Sequence, residues 1–467
     1  MRKSPLFAQA KRRMDLATVT GMLCVAALLG GSSLEGLDGH LVLQALSILV
    51  IGWVVLQDRS VPWRPSAVFA LALLGALAVL ALFQLIGWPG ADWAEGSPRQ
   101  LVTAAWTQLD LQEASLGLSL APSETVSAIL ALLPPLAVFA VVATSRWTQT
   151  VQPICWVIAG VGCASAALGL LQMLSGTGSP LYLHGAETGL PLGFFSNPNH
   201  QASLLLMTLP IMLGLLLDRR RDVQTADGQM GLLILAVGGV LMLTAGVVAA
   251  GSIAGFGLLA GIIPLCLVMT LPTRKGGGAV ISLSVLGAGL VVGLAVLLMG
   301  STLPDSVWAS DDGALGRPAI WNQSLEIAWE HFPFGIGFGA FEYVYPLYET
   351  DGAISGRYMN AAHNDYLQVF VELGAGGALL MVCGVGLWAF LSVQAWRSER
   401  NTEGLMRRAM SIATMVVLMH SLVDYPLHAP LYAVMAAACL GVLALPPRQL
   451  RTKRKASAEP SAKRLDL

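Results

Sequence analysis

Apolar positions along this chain come in long unbroken runs rather than in alternation. No charged residue occurs from Ser66 to Trp88, from Gly231 to Thr273, from Gly276 to Pro304 or from Leu373 to Trp396. Each run exceeds the roughly 20 residues that a helix needs to cross a bilayer's hydrocarbon, and the second is long enough to cross twice. At about 20 residues per crossing, the pattern predicts twelve spans. They lie near 16–33, 41–57, 66–88, 123–144, 151–173, 199–217, 231–249, 252–271, 279–300, 365–394, 409–425 and 428–445. The expected fold is an all-α integral membrane protein.

Composition agrees. Only 12% of the 467 residues are charged and 55% are hydrophobic, against roughly 25% charged in an ordinary soluble domain. A net charge of -1 leaves no basic excess for nucleic acid, so that class of partner is excluded and the bilayer is the expected one.

Charge also sets the orientation. Alternate connections and the tail hold 24 of the 27 basic residues, which by the positive-inside rule marks the cytoplasm and puts both termini there. Arg99, Arg317 and Arg357 remain outside, and all seven histidines fall in outer connections or at outer ends of spans. Chemistry that uses His and Arg is therefore expected at the outer, periplasmic face. The first run resembles a signal sequence in its basic start, but an uncleaved span agrees better with the even crossing count and the basic tail. The chain divides into a membrane bundle over 1–300, an outer loop over 301–363, further spans over 364–446 and a basic cytoplasmic tail over 447–467, expected to be disordered. The six cysteines lie in apolar spans without CxxC or metal spacing, and read as packing residues.

The loop from Ser301 to His363 has 63 residues, too many for a structureless connection. It holds 11 of the chain's 33 aromatic residues, which favours a ligand cleft over disorder, with a membrane-interface belt as the other reading. Pro318 to His331 reads as a helix, with Ile320, Trp321, Leu325 and Ala328 at helical spacing and Pro333 past its end. Arg317 stands at its entrance, where a guanidinium beside free backbone N–H groups suits a phosphate or pyrophosphate. Pairing with Asp311, Asp312 or Glu326 is the alternative. The glycines of Gly335-Ile336-Gly337-Phe338-Gly339 follow no strand, so they read as a close-approach turn and not as a nucleotide loop. The loop ends in His363-Asn364-Asp365-Tyr366-Leu367. Asn364 or Asp365 is a natural N-cap, leaving His363 at the mouth of a span as a proton acceptor or, alternatively, bonded to a loop carbonyl.

Arg317, Pro318, Trp321, the run from Glu326 to Phe341, Tyr345 and the His363 to Leu367 segment together resemble the signature of the O-antigen ligase and O-antigen or exopolysaccharide polymerase family. The resemblance covers about 301–380 closely. Looser patches are Gly193 to Ala202, containing Asn197, Asn199 and His200, and His420 to Pro426, containing Asp424. The resemblance implies a GT-C-like glycosyltransferase of the bacterial inner membrane. Its donor would be an undecaprenyl-diphosphate-linked oligosaccharide, attacked at C1 with inversion by an acceptor hydroxyl, without metal or other cofactor. The acceptor would be another lipid-linked repeat in a polymerase, lipid A core in a ligase, or a protein hydroxyl in an O-oligosaccharyltransferase. A chain-length regulator is a further implied partner.

By this resemblance Arg317 and His363 are the catalytic candidates, and Arg357, Asn199, His200, Trp321, Tyr345 and Asn364 the substrate-binding ones. Family members carry a second arginine in the turn that here reads Gly251-Ser252-Ile253, so Ile253 stands where it would be. Arg357 or His200 could replace it, although Arg357 could equally pair with Glu349 or Asp351, and Asn199 and His200 could serve only to start a span. Asp311 and Asp312 could hold Mg²⁺, but no third ligand is evident. A transporter or flippase is the rival class; it would show ionisable residues at midplane and repeated halves, and the spans show neither. Among transfers, polymerisation of repeat units is favoured by the two looser patches.

Overall fold

The computed structural model describes residues 5–33, 38–57, 64–87, 104–105, 107–110, 117–145, 150–185, 189–270, 316–349, 359–399 and 401–445. They form helices and turns, with a single isolated bridge between Gly87 and Gly117 and no strand. The helices are α1 (Pro5–Leu29), α2 (Asp38–Leu56), α3 (Pro65–Gln84), α4 (Pro122–Ala131), α5 (Leu133–Ala143), α6 (Gln152–Ser175), α7 (Pro198–Asp222), α8 (Ala226–Ala249) and α9 (Ile253–Thr270). After them come α10 (Gly316–Glu330), a helical turn at Phe341–Val344, α11 (Asp365–Arg397), α12 (Thr402–His420) and α13 (Pro430–Leu443).

Eight of the described helical stretches, rather than twelve, are long and apolar enough to cross a membrane: α2, α3, α4 with α5, α6, α7, α8, α9 and α11. Helices also stand at three further expected spans, but they differ in kind. The first half of α1 carries Lys11, Arg12, Arg13 and Asp15, α12 begins with Glu403, Arg407 and Arg408, and α13 has only 14 residues. The expected span near 279–300 lies outside the described residues. Between α4 and α5 the helix breaks at Leu132, just ahead of Pro134 and Pro135, which remove backbone donors.

Helix α7 is central and almost wholly buried. It runs antiparallel to α12, tied at one end where Thr402 Oγ1 donates to Asp218 Oδ1 at 2.6 Å and at the other where Ser203 bonds His420. Gln152 Nε2 adds a bond to Asp218 Oδ2 at 3.0 Å. The ties fix the polarity of the bundle. Arg219, Arg220, Arg221, Arg407 and Arg408 stand at one end, and His200 and His420 at the other.

A second, smaller core lies under the loop region. Ile320, Ile327, Ala328, Ile336, Phe341, Val344, Tyr345, Ala362 and Val371 are buried together there. The inner stripe of α10 runs through Arg317, Ile320, Ser324, Ile327 and His331. It is rotated from the expected stripe, for Leu325 is exposed, and so is Trp329 against Phe332 and Phe370.

Helix α11 is interrupted at Gly374, where φ is 58° and ψ is -143°. The break frees carbonyls for the glycine turn. Ile336 N donates to Val371 O at 3.1 Å and Gly337 N to Glu372 O at 3.0 Å, while Ala375 N donates to Pro333 O at 2.9 Å. The Glu372 carboxylate accepts from Gly339 N at 2.9 Å, and Gln84 of α3 bonds Phe334 O, Glu372 O and Phe338 N. A Cβ on Gly335 would lie 2.4 Å from Glu372 O, and one on Gly374 would lie 2.1 Å from Pro333 O. The glycine run is therefore a close-approach turn, as its sequence context implied. Gly335→Ala and Gly374→Ala should each lower stability by about 1–3 kcal/mol or more, since both combine a positive φ with a backbone clash. Gly386→Ala, with nothing within 4 Å, should leave the thermal unfolding midpoint in detergent unchanged.

Candidate functional site

The histidine-bearing end of the bundle is assembled from four segments. Asn364 is the N-cap of α11, its Oδ1 accepting from Leu367 N at 3.0 Å. The preceding residue, His363, has φ of 50°, a left-handed conformation that is uncommon for a residue with a side chain and often marks a functional position. Neighbours hold it there. Trp321 Nε1 of α10 donates to Ala362 O at 3.0 Å, Gln368 accepts from Ala362 N at 3.0 Å, and Asp365 N donates to Ser421 O at 2.9 Å.

Across from His363 lies the connection that follows α12. Asp424 is fully buried there, its Oδ1 3.4 Å from His363 Nδ1 and its Oδ2 3.6 Å from His420 Nε2. Tyr425 N donates to Asp424 Oδ1 at 3.0 Å, and the Tyr425 ring meets the His363 ring edge-on at 4.8 Å between centroids. Burial pushes the Asp424 carboxyl up, but the ring N–H groups of His363 and His420 facing it and the charge of nearby imidazoles outweigh it and hold the group well below its ordinary value of 3.8. The stability that Asp424 contributes is therefore present above pH 3.8 and fades only as pH falls through its lower folded value. Asp424→Asn should flatten the acid side of the stability profile, measured as unfolding midpoint against pH.

A second carboxylate stands beside the first. Asp365 Oδ2 accepts from Ser421 Oγ at 2.6 Å, and its Oδ1 is 3.6 Å from His428 Nε2. His428 in turn lies 5.5 Å from Tyr425, ring to ring. Asp365 and His428, together with His40 and Glu372, are polar groups in the lining of a cavity of about 670 Å³. Its walls are mostly apolar, with Leu71, Leu74, Leu130 and Leu418 among them and Ser33, Gln44, Ser127 and Thr414 as further polar positions. The cavity runs between α2, α3, the α4–α5 span, α11, α12 and α13.

The expected site residues divide into two groups. His363, Asn364 and Trp321 come together directly. Arg317 stands one turn before Trp321 on the same helix, mostly buried, on the stripe facing the small core. His200 is fully buried, 5.5 Å from the Tyr425 ring and 6.4 Å from His420. Asn199 sits in the first turn of α7, where its N–H donates to Asn197 Oδ1 at 2.8 Å. Tyr345 is stacked on Phe341 at 5.2 Å and 1% exposed, which makes it a core residue with no surface turned outward. The described members of the aromatic group are thus split between a core and an exposed flank, and Trp308 and Tyr358 lie outside the described residues. Arg357, Asp311 and Asp312 lie outside the described residues. Where the family's second arginine would stand, Ile253 begins α9, and Ser252 Oγ accepts from Gly255 N at 2.9 Å. Among the described residues no three His, Cys, Asp or Glu side chains are grouped so as to hold a metal ion.

Sequence reading did not assign Asp424 as the partner of His363, nor Asp365 as the partner of His428. One signal was available. His420 and Asp424 are spaced i, i+4 at the end of a span, so one face can present both.

Residues 237–382 match the family model described as O-antigen ligase, a stretch that includes both Arg317 and His363 and bears out the resemblance of that region. Asp424 and His420 lie beyond the match. No curated protein matches the chain.

Proposed function

We propose that the protein transfers an undecaprenyl-diphosphate-linked oligosaccharide to an acceptor hydroxyl at the periplasmic face of the bacterial inner membrane, polymerising polysaccharide repeat units. The observation that carries this reading is the pairing of His363 with buried Asp424 at the same end of the bundle as an apolar cavity. An imidazole whose Nδ1 faces a carboxylate keeps Nε2 for the acceptor hydroxyl. The hydroxyl proton passes to His363 as the acceptor oxygen bonds to C1 of the donor. The bond from C1 to the diphosphate oxygen breaks with inversion, and the electron pair leaves with the lipid diphosphate. Arg317 stabilises the charge that develops there. The leucine-lined cavity suits a stretch of the polyprenyl chain, an apolar ligand with a polar head.

Ligation to lipid A core is the second reading, favoured by the description of the family that residues 237–382 match. Transfer to protein differs only in the acceptor. Gel analysis of surface glycans in a deletion strain separates these cases. Loss of long chains, with single repeats still attached to core, supports the polymerase. Accumulation of full-length lipid-linked chains supports the ligase. Normal glycans with altered solute uptake would remove both in favour of a transporter. A metal-independent reaction predicts that EDTA leaves transfer in isolated membranes within twofold. Strong inhibition reversed by Mg²⁺ would instead bring Asp311 and Asp312 into the site.

A further inference from the structure

Asp424 does not face one imidazole but two. His363 and His420 flank its two oxygens at 3.4 and 3.6 Å, and His420 is fully buried. On its far side His420 Nδ1 bonds the hydroxyl of Ser203, on the first turns of α7. Ser203 is itself fully buried. The four side chains are connected in sequence, Ser203 to His420 to Asp424 to His363, from three fully buried groups to the less buried His363.

With Asp424 ionised, as its depressed pKa requires, only one assignment of protons lets neutral imidazoles give every link a donor and an acceptor. The Ser203 hydroxyl donates to His420 Nδ1, so His420 carries its proton on Nε2 and offers it to Asp424 Oδ2. Asp424 Oδ1 then takes the Nδ1 proton of His363, leaving a lone pair on His363 Nε2. The spans between the rings and Asp424 exceed ordinary hydrogen-bond lengths, as is common before substrate tightens a site.

We infer that His420, oriented by Ser203, is a positioning residue for the transfer: by occupying one oxygen of Asp424 it limits the charge that reaches His363 and fixes the tautomer that receives the acceptor's proton. The inference rests on the function proposed above, yet concerns residues that function did not require. Other groups face Asp424 as well. His200 of α7, His428 in the following connection, and Asp365 at the start of α11 act on it electrostatically, and Tyr432 of α13 senses it in turn. Tyr432 also lies against the Ser203 hydroxyl, while His420 is the side chain that both bonds Ser203 and faces Asp424.

Removing the donor leaves the Asp424 charge to His363 alone, which favours imidazolium there. The pH at which His363 loses half its reactivity toward an electrophile should therefore rise, by about one unit for the loss of one such partner. The test uses full-length protein in detergent, with diethyl pyrocarbonate as the probe and modification of the His363 peptide read by mass spectrometry across pH. Surface glycan output is followed in parallel in the complemented deletion strain. His420→Phe, which has no donor, and Ser203→Ala should raise the midpoint and cut long-chain glycan at least tenfold at unchanged protein level, and Ser203→Thr should restore both. An unchanged midpoint in Ser203→Ala and His420→Phe overturns the inference, whether or not glycan falls, because a packing defect alone would not move it. If wild type makes no difference to glycans but the midpoint still rises, the line of side chains stands and the proposed transfer fails.

Discussion

Replacing His363 by alanine should lower transfer by about 10²–10⁴-fold, the usual contribution of a positioned general base. The effect is expected at the upper end because no neighbour can stand in. Among the described histidines at this end, His200 and His420 are fully buried and His428 faces Asp365. The backbone at His363 is held in a left-handed conformation by the Asn364 cap and by the bond from Trp321 to Ala362, and a water that enters the space beside Asp424 is a far weaker base than imidazole. His363→Gln separates the chemical role from a packing role. Glutamine can still donate to Asp424 but cannot take up a proton, so it should be as inactive as alanine. The readout is the ladder of glycan chain lengths, normalised to membrane-inserted protein. Recovery of long chains by His363→Gln would reduce His363 to a hydrogen-bonding support.

Much of the scaffold was legible because membrane crossing imposes a coarse, strong rule on sequence. Uncharged runs such as Ser66 to Trp88 could hardly form anything else, and α3 occupies Pro65–Gln84. The rule is weaker for α12, where Arg407 and Arg408 sit inside the helix, and for α13, whose Pro430 start and 14 residues fall short of a full crossing. Local grammar also carried the cap at Asn364 and the helix behind Pro318, since both depend on residues within one turn. Pairings between distant segments were not legible. Asp424 meets His363 because α12 returns to the end of the bundle where α11 begins, a consequence of packing that no local pattern encodes. Tyr345 shows how burial redirects an aromatic residue. Its place in an aromatic-rich loop pointed to a ligand cleft, but the loop has its own core, and an aromatic ring there is drawn inward by burial of its area. Burial also pushes the Tyr345 hydroxyl up to about 12, so it stays protonated at neutral pH.

Arg317→Ala should reduce transfer by about 10²–10³-fold, the range seen when one preorganised donor to a developing negative charge is removed. A lipid diphosphate gains charge as its bond to C1 breaks, and a mostly buried guanidinium at the start of α10 offers a fixed fork where water could only reorganise. Helix α10 delivers it to the His363 side through Trp321, whose indole holds Ala362. Lysine should recover only part of the activity, because a single ammonium cannot match two phosphate oxygens as a planar fork does. If Ile253 stands where the resemblance implies a further arginine, this chain should depend on Arg317 more heavily than a relative with both. Arg357→Ala then reports on compensation: a loss comparable to that of Arg317→Ala means that Arg357 shares the diphosphate, and a loss below about threefold leaves Arg317 to bear it. Full activity in a well-expressed Arg317→Ala protein would detach the arginine from the leaving group altogether, while His363 and Asp424 could still serve the acceptor.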